Sequence, residues 1–147
     1  MSKKKFWILS LTWGLPMTIV GFVVALFLLF TGHKPEWFGY MLNFTVKSEN
    51  GWGVSLGPVI VTTSDCADDI DLLSHECGHS SYQMFWFGWL FPFIVAIPSA
   101  IRFWHRYYLM KNGTKSWELP PYNSIWFERT ATDYGKKFVE IMRANKE

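Results

Sequence analysis

The chain has 147 residues, enough for one compact domain and too few for two independent cores. Half of its residues are hydrophobic and 19% aromatic, with 9 Trp and 13 Phe, which is richer than a small water-facing domain carries, so a membrane protein is the first expectation. A formal net charge of +2 with no single strongly basic patch sets nucleic acid and polyanionic substrates aside.

Lys3, Lys4 and Lys5 precede an uncharged run over residues 6–31, "FWILSLTWGLPMTIVGFVVALFLLFT". As a helix this run exceeds the roughly 30 Å hydrocarbon core, which predicts one N-terminal transmembrane helix and an anchor over residues 1–32. The run is too long for the apolar core of a leader peptide, and no small-x-small cleavage pattern follows it, so it reads as retained. Gly14 and Pro16 are expected to kink its first half. The rest, 33–147, reads as one domain. "FTVKSENGWGVSLGPVIVTT", residues 44–63, flanks an Asn50-Gly51 turn signal with β-branched and aromatic residues and predicts a short β-hairpin. A helix is expected next, with Ser64 or Asp65 as N-cap and Asp68, Asp69 and Asp71 complementing its dipole. These acids lack the alternating ligands and central glycine of a calcium loop.

Residues 82–101, "YQMFWFGWLFPFIVAIPSAI", form a second uncharged run interrupted by Gly88, Pro92 and Pro98. A basic loop, "RFWHRYYLMKNGTKSWELPP", follows, and a final helix is expected from Asn123 or Ser124. The two cysteines, Cys66 and Cys77, match no zinc-finger spacing and read as a disulfide or two thiols.

Between the acidic turn and the second run lies "LLSHECGHSSYQ", residues 72–83. On a helix His75 and His79 share one face one turn apart, so both imidazoles can be aimed at one ion. Glu76 is rotated away from the ligand axis, where a carboxylate reaches a metal-bound water without occupying the metal, which is the position of a general base. Cys77 points off the ligand face and reads as a small buried residue. A catalytic zinc site usually takes three protein ligands. His33, ahead of the hairpin, His105, in the basic loop, and Glu128, in the last helix, are the candidates for the third. Glu128, Ala131 and Gly135 fall at i, i+3 and i+7, so the carboxylate's face also carries small residues that allow a close helix approach, and Gly78 offers a matching small surface.

"HECGH" and the downstream "ERTATDYG" together resemble the gluzincin type of zinc metallopeptidase, whose signature is HExxH followed on a later helix by a glutamate in an ExxA context. The arrangement is also similar to small membrane-bound bacterial and phage proteins with HExGH after a strand and before an apolar segment. The resemblance covers about half of the chain, from "SLGPVIV" to the last helix. It implies a zincin-like domain that binds Zn2+ through His75, His79 and Glu128, uses Glu76 as base, and hydrolyses a peptide or protein substrate. Many gluzincins carry an aspartate four residues after the ligand glutamate to bond a histidine ligand; here Thr132 stands there, with Asp133 one step on. His105, Tyr107, Tyr108, Tyr122 and Arg129 are all candidates to stabilise the transition state, and nothing in the sequence chooses among them. The strand ending in "GPVIV" is expected to take an extended peptide by strand addition.

Charge bears on topology. Three lysines precede the first run, two lysines face seven acids between the runs, and nine Lys and Arg face five acids after the second. By the positive-inside rule this favours two spans with both ends cytoplasmic, which would put His75 and Glu128 on opposite sides. Gly88, Pro92 and Pro98 instead divide the second run into arms near 15 Å, which suits a re-entrant or interfacial hairpin returning to the same side. The expectation is therefore an α+β integral membrane protein with its site on the extracytoplasmic side and the bilayer, and membrane-protein partners, around it. The alternatives are a two-span subunit or scaffold without catalysis, and a zinc-binding pseudoenzyme.

Overall fold

The computed structural model describes residues 1–48 and 51–144. It is a mixed α+β fold with six α-helices and one four-stranded sheet. Strands β1 (Pro35–Phe38), β2 (Met41–Val46), β3 (Gly53–Leu56) and β4 (Val59–Thr63) lie in the order β1-β2-β4-β3. β4 is central, parallel to β2 and antiparallel to β3, and all five of its residues are buried. Its period-two alternation divides the core. Val59 and Val61 pack with Phe44, Ala25 and Leu28 on one face of the sheet, while Ile60 packs with Met41, Leu73, Cys77 and Phe138 on the other.

The expected hairpin is only partly present. The two-residue turn is Gly57-Pro58, joining Leu56 to Val59, with Gly57 at φ +60°. Asn50 of the expected Asn50-Gly51 turn lies outside the described residues, and the strands on either side of that turn, β2 and β3, are separated by β4.

The run over 6–31 is not one helix. It forms α1 (Lys3–Leu11) and α2 (Leu15–Phe30), bent by 96°. The physical reason is that the two arms pack in different layers: Phe6 of α1 is buried with Met41 and Ile60, whereas Ala25 and Leu28 of α2 cover the opposite face. Thr18 stabilises the corner by donating its hydroxyl to the carbonyl of Ser10 at 2.7 Å, which the break frees, with Gly14 O also within 3.1 Å. α2 rises about 24 Å, short of a roughly 30 Å hydrocarbon core, and among the described residues no single helix is long and apolar enough to cross a membrane.

The second apolar run also bends. α3 (Ile70–Cys77) passes through a π-helical turn over Gly78–Gln83 into α4 (Met84–Phe87), and the chain turns at Gly88 and Pro92 into α5 (Ile97–Lys111). The segments Ile70–Leu90 and Pro92–Lys111 meet at 111°, so the run bends at Gly88 and Pro92, while Pro98, expected as a third interruption, sits in the first turn of α5. The two corners brace each other. A Cβ on Gly14 would overlap Met84, one on Gly88 (φ +53°) would overlap Trp13, and Trp13 Nε1 donates to Phe85 O at 3.1 Å.

Three further expectations shift. Asp69, not Ser64 or Asp65, caps α3, accepting from the backbone N–H groups of Asp71 and Leu72, because its position immediately precedes the first helical residue. Much of the expected basic loop is helical, since α5 runs on to Lys111 without a breaker until Asn112-Gly113. The last helix, α6, spans Trp126–Ala144, beginning two or three residues later than expected because Tyr122–Ser124 forms a separate 3₁₀ turn.

Candidate metal centre

α6 lies against α3 and the π-helical turn at very short range. A Cβ on Gly78 would overlap the carbonyl of Ala131, and one on Gly135 would overlap the carbonyl of Ser74. The small faces anticipated on both helices therefore meet, and their contact carries Glu128 to the two histidines. His75 Nε2 and His79 Nε2 are 3.1 Å apart, and Glu128 Oε2 is 3.1 Å from the first and 3.4 Å from the second. Ligands bound to one zinc at 2.0–2.1 Å in tetrahedral geometry are separated by about 3.3 Å. Among the described residues this is the one group of three or more His, Cys, Asp or Glu placed to hold a metal ion. A two-span arrangement with His75 and Glu128 on opposite sides is incompatible with a 3.1 Å separation.

The surrounding bonds fix which atoms face inward. Thr132 Oγ1 donates to Glu128 O at 3.1 Å, which leaves its oxygen to accept from His75 Nδ1 at 2.9 Å. Thr132, four residues after Glu128, thus gives the His75 ring a hydrogen-bond partner. Gln83 donates its amide nitrogen to Phe127 O and to Thr130 Oγ1, so its Oε1 accepts from His79 Nδ1 at 2.7 Å. With both Nδ1 atoms protonated, both Nε2 atoms present lone pairs. Glu128 Oε1 accepts from Ser99 Oγ at 2.6 Å, while Oε2 is fully buried without a hydrogen-bond partner. These three atoms lie close enough to share one proton, and the same three atoms could hold a metal ion.

Charge follows from this geometry. Burial pushes the Glu128 carboxyl up, but bonds from His75, His79 and Ser99 outweigh it and hold the group well below the usual carboxylate range. Burial pushes the His79 imidazole down, and the Glu128 bond with the Glu76 and Glu128 charges more than reverses it, so His79 sits above its ordinary value. Glu76 is buried beside His75, with β3 against it at Gly53, and its charge acts on both His79 and Tyr122.

Of the five candidates for transition-state stabilisation, the structure brings Tyr122 to the cluster. Its ring stands edge-on to His75, centroids 6.3 Å apart. Burial, with the Glu128 charge, pushes its phenol up to about 12, so it is a proton donor at neutral pH. His105, Tyr107, Tyr108 and Arg129 are exposed, because α5 and α6 turn those positions outward. His33 bonds Thr31 at the end of α2 and is not part of the cluster, and neither is His105. Both cysteines are free thiols, and Cys77 is a buried core residue whose thiol burial pushes up. Gln83 and Ser99 were not anticipated; spacing offers the only signal for Gln83, one turn beyond His79, and none for Ser99. The "GPVIV" strand is β4, paired on both sides, so it cannot accept a peptide strand; β3 is the sheet edge beside Glu76. Comparisons of the chain with known protein families, curated proteins and solved structures return no match.

Proposed function

We propose that this chain is a membrane-embedded zinc metallohydrolase of gluzincin type, acting on a peptide or protein substrate. The observation that carries the reading is the convergence of His75 Nε2, His79 Nε2 and Glu128 Oε2 at 3.1–3.4 Å, the edge lengths of a zinc tetrahedron, with outer partners that leave only lone pairs facing inward. Two imidazoles and a carboxylate favour zinc among the divalent ions. His75, His79 and Glu128 would hold the ion, which when bound would supply a Lewis acid and lower the pKa of a coordinated water to about 7. The Glu76 carboxylate would serve as general base toward a nucleophilic water and as general acid toward the leaving amine nitrogen, returning the proton it accepts. Tyr122 donates its phenolic hydrogen to the carbonyl oxygen as negative charge develops there. The free edge of β3 offers an extended substrate backbone pairing beside Glu76.

The lipid half of the proposal rests on the exposed side chains. Phe30 is 90% exposed and Phe93 69%, and Val23, Phe27, Trp86, Ile101 and Trp104 are exposed with them. Both bent apolar pairs fit partial immersion in a bilayer, with tryptophan at its interface. Phe6 of α1 packs with Cys77, between the two histidines, and Lys3 lies over Trp37 of β1, so with partial immersion Lys3 to Lys5 and the site share one side of the bilayer, in place of the opposite sides expected from charge. Elemental analysis and cleavage of a mixed peptide library test the catalytic half: about one zinc per wild-type chain is expected, lost in Glu128→Ala and His79→Ala. Glu76→Gln should keep the zinc and lose cleavage. Metal-free wild-type protein, prepared without chelator, would sink the proposal; bound zinc with no cleavage would reduce the site to a structural one.

A further inference from the structure

The short segment Pro120–Ser124 carries Tyr122 against His75, yet its own fold holds it weakly: the turn is closed by one backbone bond, from Ser124 N to Pro121 O at 3.0 Å. Four further hydrogen bonds reach it from α5. Arg102 Nη2 donates to Pro121 O at 2.9 Å, Tyr122 O at 3.0 Å and Ser124 Oγ at 3.1 Å, and Arg106 Nη1 donates to Pro120 O at 2.5 Å. Both guanidinium groups also lie over the Tyr122 ring, 5.5 and 5.7 Å from its centroid. Ser99, Arg102 and Arg106 fall at i, i+3 and i+7, one face of α5, and Ser99 is the residue that bonds Glu128.

We propose that Arg102 and Arg106 are positioning residues that hold the Tyr122 phenol over the metal centre, so that one face of α5 orients both the ligand carboxylate, through Ser99, and the hydrogen-bond donor opposite it. The inference rests on the metallohydrolase reading and deepens it. Two flat guanidinium groups suit the task because each bonds backbone carbonyls at its edge while its face covers the ring. A lysine would keep the charge and lose that geometry.

The test uses full-length protein in detergent with cobalt(II) in place of zinc, whose visible absorption reports the metal's surroundings, and acetohydroxamic acid as a probe with metal-binding oxygens. Wild type, Arg102→Gln, Arg102→Lys, Arg106→Gln, Tyr122→Phe and the double variant Arg102→Gln with Tyr122→Phe are each titrated. Each is expected to bind one cobalt. Tyr122→Phe should weaken the hydroxamate about tenfold, the worth of one good hydrogen bond. Arg102→Gln should weaken it by a similar factor, Arg102→Lys should not restore it, and Arg106→Gln should act in the same direction but less. The double variant should bind no more weakly than Tyr122→Phe alone, because the arginine acts through the phenol. Wild-type affinity in Arg102→Gln, or factors that multiply in the double variant, would overturn the inference, since a merely structural arginine would not lose its effect with the phenol. Should Arg102→Gln fail to fold, the same cycle with Arg106→Gln decides. Failure of the wild type to bind cobalt would remove the metal reading itself, an outcome distinct from all of these.

Discussion

Helices α5 and α6 meet at the Ser99–Glu128 bond and face opposite ways around it. α6 has the pattern of a helix on the surface of a core: Phe127, Glu128, Ala131, Gly135, Phe138, Val139 and Met142 are buried, while Lys136, Lys137 and Glu140 are exposed. α5 inverts it. No residue of α5 is fully buried, its inner face carries Ser99, Arg102 and Arg106, and Ile97, Ile101, Trp104 and Tyr108 are exposed along the other side. The difference teaches that the two sides of the centre are built for different surroundings: polar groups fix its inner wall from both helices, and on the proposed reading the outer stripe of α5 is matched to lipid rather than water.

The largest expected effect separates chemistry from scaffold. Glu76→Gln should lower peptide cleavage by about 10³-fold with zinc content unchanged, measured by steady-state kinetics and elemental analysis side by side. Gly78→Ala attacks the α6 side of the comparison. It drives a methyl into the Ala131 carbonyl and should cost about 3 kcal/mol in thermal or denaturant unfolding, with metal affinity falling as the helices part. Gln83→Leu keeps the packing volume but frees His79 Nδ1, and competition with a chromophoric chelator should show zinc affinity down by about 10- to 100-fold.

A pH series follows from His79. Because its folded pKa is raised above the ordinary 6.5, the proton-bridged cluster of the metal-free protein contributes stability in full below that pH and loses it as pH rises through the raised value. Zinc takes over the proton's place, so its affinity should climb by about tenfold per pH unit for each proton displaced, readable as a widening gap in thermal midpoint with and without chelator. A gap that narrows with rising pH would contradict the lone-pair arrangement. The smallest stability effect belongs to α5's outer face: Ile101→Lys with Trp104→Lys should shift unfolding in detergent by only about 0.5 kcal/mol while releasing protein from vesicles in a flotation assay. Equal flotation would break the contrast between the two helices.

Much of the centre was legible in the chain. The i, i+4 histidines, the offset Glu76 and the Glu128-Ala131-Gly135 stripe opposite Gly78 are local periodicities, and local periodicity fixes which side chains share a helix face. The outer bonds were legible only in part. Thr132 could be noticed as the residue in the aspartate position, but Ser99 lies 29 residues from its carboxylate, and no pattern within α5 names Glu128 as its partner. The first apolar run shows the opposite limit. Hydropathy sees an unbroken 6–31 segment, whereas the 96° corner arises because α1 and α2 are claimed by opposite faces of the sheet.

The sequence by itself therefore determined that His75 and His79 share one helix face and that Glu128 shares another with Ala131 and Gly135, because both follow from side-chain spacing along one element. Tertiary structure decided the bends, the parallel pairing of β2 with β4, the placement of Tyr122 beside His75, and the bonds from Arg102 and Arg106 to its segment. Each of these depends on groups far apart in the chain being brought together, and packing of the whole molecule alone sets such distances.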